Sequence, residues 1–266
     1  MLTEVHVPDG TAAVVGLMAT GARVLAGGTS LMPSLNDHAS PETELISLRR
    51  AGLGGIRVDG GVVRLGAAAT LSRIERDARL AVLRPVVRSI ASVPVRTLAT
   101  AGGNLFARRP HGDLTVALVA LDARVTLADS GGTHELPVED LLAGTAPPAL
   151  VTEIVFGLPA AGSFRYLKAS RRRFNSASLV TVAATVTEVD GVVSAARVAL
   201  GGVGPGVVRA VAVERALIGS PLDVPAVRRA AEAGLGEISP ADDAYASAWY
   251  RARVFPVHLR RALLGH

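Results

Sequence analysis

The stretch VLAGGTSLMPSL, Val24 to Leu35, sets Gly27-Gly28 and then Thr29 and Ser30 between two apolar runs. A buried core has no use for a Gly-Gly pair at that place. Glycine admits positive φ and lets backbone N–H groups approach a ligand closely. A run of such N–H groups at a helix start forms an anion-binding nest. Thr29 and Ser30 add hydroxyl donors. A second pair stands in TLATAGGNLF, Thr97 to Phe106, where Asn104 adds an amide donor. Two such nests converging on one ligand suit a pyrophosphate. Taken singly, each pair also reads as a tight turn. Neither fits the dinucleotide fingerprint G-x-G-x-x-G, and neither is followed by the Gly-Lys-Ser/Thr of a P-loop.

Around these pairs the chain has 266 residues, enough for one large domain or two ordinary ones. Hydrophobic residues make up 49% and aromatics only 3%. That composition reads as globular and soluble, and it argues against an aromatic stacking platform for single-stranded nucleic acid. Cysteine is absent, which excludes disulfides and iron–sulfur clusters ligated by this chain. MLTEVHVPDG lacks the basic-then-apolar order of a secretory signal. No apolar run reaches about 18 residues, so no membrane span is expected and the cytoplasm is the default location. The formal charge of +5 is mostly arginine, and its only dense cluster is SRRR, Ser170 to Arg173. A solvated basic surface accounts for it, and nucleic-acid binding is not expected.

The order of elements reads as α+β. EVHV is a short strand, TAAVVGLMATG a helix ending near Gly21, and RVLA a strand running straight into Gly27. ELISL is a strand. DGG in GIRVDGGVVRLGAAAT signals a hairpin. LSRIERDARL and AVLRPVVRSIAS have helical spacing, and GDLTVALVALDARVTLAD reads as a helix passing into a strand. THELPVEDLLAG and ALVTEIVFGLP close the first half. Three strands follow in SFRYLKAS, ASLVTVAATVTEVDG and VVSAARVALGGVG, then two amphipathic helices. The tail DAYASAWYRARVFPVHLRRALLG is a long helical pattern with Pro256 as a kink. Strands followed by helices make a segregated layer.

VLAGGTSLMPSLN with TLATAGGNLFARRPHGDLTVALVALDARV resembles the FAD-binding flavoprotein subunit of the molybdenum hydroxylases, the carbon monoxide dehydrogenase and xanthine dehydrogenase type. The likeness continues in ALGGVGPGVVRAVAVERALIGSPL and in YRARVFPVHLRRAL, so it covers nearly the whole chain. It implies a two-subdomain FAD-binding domain of the vanillyl-alcohol-oxidase/p-cresol-methylhydroxylase type over residues 1–158. A small sheet-plus-helices domain follows over 159–266, with FAD extended between the two.

The resemblance also implies site residues. Val24, Leu25, Ala26, Gly27, Gly28, Thr29, Ser30 and Leu31 wrap the FAD diphosphate, and Thr100, Ala101, Gly102, Gly103 and Asn104 do so from the other side. Asp113 hydrogen-bonds flavin-side hydroxyls; as a residue it reads equally as a carboxylate at a helix N-terminus. Val151 and Ile90 are apolar contacts, and Ile90 also reads as ordinary core. Lys168 lies near the flavin, where a cation stabilises the charge of the reduced ring; its alternative is a solvated strand lysine.

The chain departs from the family in places. SRRRFNSAS carries Asn175 where relatives have an acid, and Arg108, Arg109 and His111 fill a segment usually smaller and less basic. The cysteine-bearing insertion that holds an extra four-iron cluster in some relatives is missing. The six histidines are scattered without metal-ligand spacing, and no G-x-S-x-G is present, so neither a metal site nor hydrolytic chemistry is expected.

The expected function is redox, with no catalytic acid or base on this chain. FAD takes electrons from an iron–sulfur subunit fed by a molybdenum-cofactor subunit and passes them to NAD⁺, oxygen or a quinone-like acceptor. Two other readings stay open. One is a stand-alone FAD oxidase or dehydrogenase of a small metabolite. The other is a non-catalytic basic scaffold for an acidic partner.

Overall fold

A computed structural model describes residues 2–37, 43–107, 112–144, 148–172 and 175–265. Its first elements are β1 (Glu4–His6), α1 (Thr11–Met18), β2 (Arg23–Leu25), α2 (Leu31–Asn36), β3 (Glu44–Ser47), β4 (Ile56–Asp59) and β5 (Val62–Gly66). Short helices follow: α3 (Leu71–Arg76), α4 (Arg84–Arg88), α5 (Val93–Leu98), α6 (Ala101–Leu105) and α7 (Asp113–Ala120). Then come β6 (Arg124–Asp129), β7 (Gly132–Pro137), α8 (Val138–Leu142), β8 (Leu150–Gly157), β9 (Phe164–Ser170), β10 (Ser178–Val189), β11 (Val192–Gly201) and β12 (Val208–Arg209). The chain closes with α9 (Val211–Leu217), α10 (Val224–Gly234) and α11 (Ala248–Leu264). These elements form two compact units. Unit 1 comprises Met1–Ala81, Ser92–Ala107 and Ala123–Phe156; unit 2 comprises Val82–Ala91, Arg108–Asp122 and Gly157–His266.

Unit 1 holds two sheets. β1, β3 and β2 pair in parallel, in that order, with Val5 opposite Leu45 and Val24 opposite Ile46. Parallel strands need crossover connections, and α1 lies on the one from β1 to β2, the two strands that flank β3. Val14 of α1 packs with Ile46, Leu48 and Ala51. The second sheet has the order β4-β5-β8-β6-β7. Its first hairpin turns at Gly60 (φ +53°) and Gly61 (φ +78°), the two positive φ values of a type I′ turn, as DGG predicts.

The helical spacing over 71–92 is cut into short pieces, and more short helices follow. Asp77 takes extended backbone at the end of α3, and Pro85 and Pro94 sit in the first turns of α4 and α5. Proline lacks the N–H an interior helical position must donate, so each marks a fresh start.

Unit 2 is a four-stranded antiparallel sheet, β12-β11-β10-β9. The β10–β11 hairpin turns at Asp190 (φ +53°) and Gly191 (φ +77°). Ser178 to Ala184 are buried on both faces of β10 because helices cover both sides of the sheet. Val180, Val182, Ala184 and Val186 share a core with Phe255 and Leu259 of α11. The alternate face carries Thr181 and Thr185 toward α7, where Thr185 donates to the Ala120 carbonyl at 2.9 Å. α7 is apolar nearly all round, and every one of its residues is buried, as such a helix must be.

The C-terminal helix starts later than its spacing suggests. Asp243 accepts the N–H groups of Tyr245 and Ala246, holding the chain in a turn, and Ser247 then caps α11 by accepting from Tyr250. The helix continues through Pro256 to Leu264 and ends at Gly265 in left-handed geometry (φ +82°). Arg251, with only 1% of its side chain exposed, ties α11 to the sheet. Its guanidinium donates to the carbonyls of Leu179 (2.5 Å), Gly202 (3.0 Å) and Ser178 (3.3 Å) and to Asp243 (2.7 Å). Burial raises the Asp243 pKa, but bonds from the two amides and Arg251 outweigh it and hold the carboxyl below its ordinary value. Arg251→Met takes a donor from three carbonyls and the charge partner from Asp243, which keeps its two amide donors. We expect a loss of about 3–5 kcal/mol in urea denaturation; a loss below about 1 kcal/mol would show that water replaces the guanidinium.

Candidate functional site

The two glycine pairs lie side by side in unit 1, but they are built differently. After β2 the chain runs through Ala26 to Ser30 and enters α2. The backbone N–H groups of Gly27, Gly28, Thr29 and Ser30 donate to no described residue. The Thr29 hydroxyl has no partner among them either, and Ser30 stands at the helix start without a side-chain cap. Four consecutive unengaged donors, half-buried except at Ser30, make a receptive surface for an anion. Gly28 has φ +73°, which only glycine adopts without strain. Gly27 is fixed for another reason: a Cβ there would collide with the Leu98 carbonyl. Val24 and Leu25 belong to β2, and Leu31 opens α2.

The second pair differs from the anion nest that the sequence suggests at both sites. Gly102 and Gly103 lie inside α6, and of the four glycines only Gly28 has positive φ. Thr100 caps this helix, its Oγ1 accepting from Gly103 at 3.1 Å. The amides of Ala101, Gly102 and Asn104 donate to the carbonyls of Ala69, Ala67 and Thr100. These four amides are therefore committed to the protein. A Cβ on Gly102 would fall 2.8 Å from the Ala67 Cβ, and one on Gly103 would fall 2.9 Å from Thr100 Oγ1 and 3.9 Å from the Ala26 Cβ. The glycines here allow α6 to press against the β5 exit and the first glycine segment. Val151 lies in β8, buried opposite Leu127.

Unit 2 contains a polar cluster at the first residue of α7. Asp113 is buried, and its Oδ1 accepts from Ser178 (2.6 Å) and Thr181 (2.7 Å) of β10. Its Oδ2 pairs with Lys168 Nζ of β9 at 2.8 Å, both side chains less than a tenth exposed. Lys168 also donates to the Ser89 carbonyl at 2.9 Å. The Ser89 hydroxyl donates to the Val86 carbonyl, so at 2.8 Å the Tyr166 hydroxyl donates to it. Tyr166 is partly exposed as a residue while its hydroxyl end is enclosed. Burial, then the Asp113 charge, push its pKa well above the ordinary value. Lys168 is thus a buried ion-pair partner, not a solvated strand lysine. Ile90 follows α4, half-buried.

Sequence reading missed Ser89, Tyr166, Ser178 and Thr181. The available signal was the polar residues inside the apolar run SLVTVAATV. Asn175 is described, with φ +46°. Arg108, Arg109, His111 and Arg173 lie outside the described residues. Among the described residues no group of three His, Cys, Asp or Glu side chains could hold a metal, and no helix is long and apolar enough to cross a membrane.

An α+β protein with an anion-receptive glycine turn in one unit and a buried acid–lysine pair in the other has the parts of a nucleotide-cofactor protein. Comparison with known proteins makes the class specific. Residues 2–158 match the FAD binding domain in molybdopterin dehydrogenase, and residues 165–265 match the CO dehydrogenase flavoprotein C-terminal domain. The 6-hydroxypseudooxynicotine dehydrogenase complex subunit alpha of Paenarthrobacter nicotinovorans is 30% identical over 97% of this chain and 92% of its own length. The carbon monoxide dehydrogenase medium chain of Afipia carboxidovorans is 29% identical over 98% and 95%. The reconstituted CO dehydrogenase of Oligotropha carboxidovorans superimposes with a TM-score of 0.93 at 28% identity, covering 99% of this chain and 97% of that one. The chain belongs to the family of FAD-binding subunits of molybdenum hydroxylases and is an FAD-dependent oxidoreductase subunit. The free amides of Gly27 to Ser30 fit the diphosphate of that cofactor.

Two outcomes follow from the acid–lysine cluster. Lys168→Met leaves Asp113 buried without its counter-ion and should cost about 3–5 kcal/mol in denaturation. Adding Asp113→Asn should recover part of that loss; a double variant no better than the single would show that the two charges are not coupled. Tyr166 has a folded pKa above its unfolded one. Its contribution is complete below about pH 10 and is lost as pH rises through the folded value. Tyrosinate absorbance should therefore show one tyrosine that ionises only with alkaline unfolding, and Tyr166→Phe should remove that phase.

Proposed function

We propose that the chain carries FAD as the electron-transfer subunit of a three-part hydroxylase. It would accept electrons from an iron–sulfur subunit supplied by a molybdenum-cofactor subunit and deliver them to NAD⁺, oxygen or a quinone-like acceptor. The carrying observation is the run of four unengaged amides, Gly27 to Ser30, at the end of a parallel strand. In this reading those amides and the Thr29 hydroxyl hold the diphosphate. Thr100, Ala101, Gly102, Gly103 and Asn104 shape its other wall through packing more than through amide donation. Val24, Leu25, Ala26 and Leu31 position the turn. Val151, Ile90, Asp113 and Lys168 enter the proposal through the family resemblance.

We place the FAD-binding domain at 1–158, in the vanillyl-alcohol-oxidase/p-cresol-methylhydroxylase manner, and the C-terminal domain at 159–266, in a cytoplasmic protein. Bound FAD supplies the two-electron chemistry, and the chain supplies binding and orientation. The relatives named for dehydrogenase complexes and medium chains favour this over a stand-alone oxidase.

Gly28→Val forces a β-branched residue to positive φ, and Gly103→Val drives methyl groups into Thr100. Both variants should fold, by circular dichroism, yet lose most of the flavin absorbance that the unaltered chain retains on gel filtration. Full flavin occupancy in both would move the diphosphate elsewhere. The unaltered chain alone should turn over candidate metabolites negligibly; a rate of about 1 s⁻¹ or more would favour the stand-alone enzyme.

A further inference from the structure

Unit 2 gathers aromatic residues at one place on its surface. The chain has one tryptophan and three tyrosines. Trp249, Tyr245 and Tyr250 line a single open groove of about 460 Å³ with Arg171, Leu179, Ala246 and Ser247. Trp249 is 71% exposed, Tyr250 42% and Tyr245 40%. The indole and both phenols have no hydrogen-bond partner among the described residues, and Arg171 has no ion pair there.

The groove continues onto α11. The inner side of that helix is Arg251, Phe255, Leu259, Ala262 and Leu263. Its outer side repeats Trp249, Arg253, Val257 and Arg260 at the spacing of one helical face, all four exposed. α11 contains no acidic residue, and neither Arg253 nor Arg260 is ion-paired with a described residue.

We infer that the groove and the outer face of α11 dock an acidic face of a partner subunit, with an apolar side chain seated against Trp249 and carboxylates meeting Arg171, Arg253 and Arg260. Tryptophan, tyrosine and arginine are the residue types that dominate binding energy when desolvated at an interface centre. Asp242, just ahead of α11, is already engaged by the Ala248 amide, so the arginines set the charge of this face, which favours an acidic partner and makes association salt-dependent. The groove is shallow and its aromatics are largely open, which suits a protein surface better than an enclosed small ligand. This inference rests on the multi-subunit reading and adds the place and chemistry of one contact.

The test co-expresses the chain with the iron–sulfur and molybdenum-cofactor subunits and measures assembly by sedimentation velocity over a dilution series. Trp249→Ala and the pair Arg253→Glu with Arg260→Glu should each weaken assembly at least about tenfold while keeping flavin content. Added salt should weaken the unaltered complex more than the double-glutamate one. Arg229→Glu, exposed on α10, is the control and should assemble normally. Normal assembly of both altered chains would overturn the docking surface and leave the multi-subunit reading intact. Failure of the unaltered chain to assemble at all would overturn both. A homodimer of the isolated chain that Trp249→Ala dissolves would assign the groove to a second copy and also overturn the proposal.

Discussion

One buried carboxylate organises unit 2. Asp113 begins a helix whose other residues are almost all apolar, so the helix must go inside and takes the charge with it. An unpaired carboxylate there would cost several kcal/mol. It is met by two hydroxyls from β10 and one ammonium from β9, which fill three of its roughly four acceptor positions. The helix dipole adds to this at its N-terminus. The positions of α7, β9 and β10 are therefore not independent: moving one of them strands a charge. Lys168 extends the constraint to the Ser89 carbonyl, and Tyr166 closes it through the Ser89 hydroxyl. A fold whose sheet is largely valine and alanine gains from these bonds a fixed register that apolar packing alone specifies less sharply.

The hairpins were legible in the sequence because their cause is local. Asp-Gly-Gly at 59–61 and Asp-Gly at 190–191 need only their own backbone to make a type I′ turn. The strand entering Gly27 and the apolar α7 were legible for the same reason. The extent of the helices was less so. Spacing alone joined Leu71 through Ser92 into two helices, yet Asp77 and Pro85 divide them, and the C-terminal pattern ran back to Asp243, whose carboxylate instead captures two amides. The polar cluster was hardest to read. Its members meet across 55 to 79 residues of chain, and no spacing rule links Asp113 to Ser178 or Thr181. The family resemblance singled out Asp113 and Lys168 but said nothing of their contact with each other.

The two glycine pairs show why one motif need not have one cause. Gly102 and Gly103 are small because α6 presses on Ala67 and folds over Thr100; their amides are spent on protein acceptors. Gly27 is small because the Leu98 carbonyl comes so close, and that contact pins the chain just before Gly28 turns it into the left-handed region. The turn then leaves four N–H groups in succession without acceptors. Buried amides without partners are rare because each costs free energy, so half-buried ones that stay unengaged imply either water or a ligand. The second pair thus packs beside the first: a Cβ on Gly103 would come within 3.9 Å of the Ala26 Cβ, just ahead of the open amides of Gly27 to Ser30.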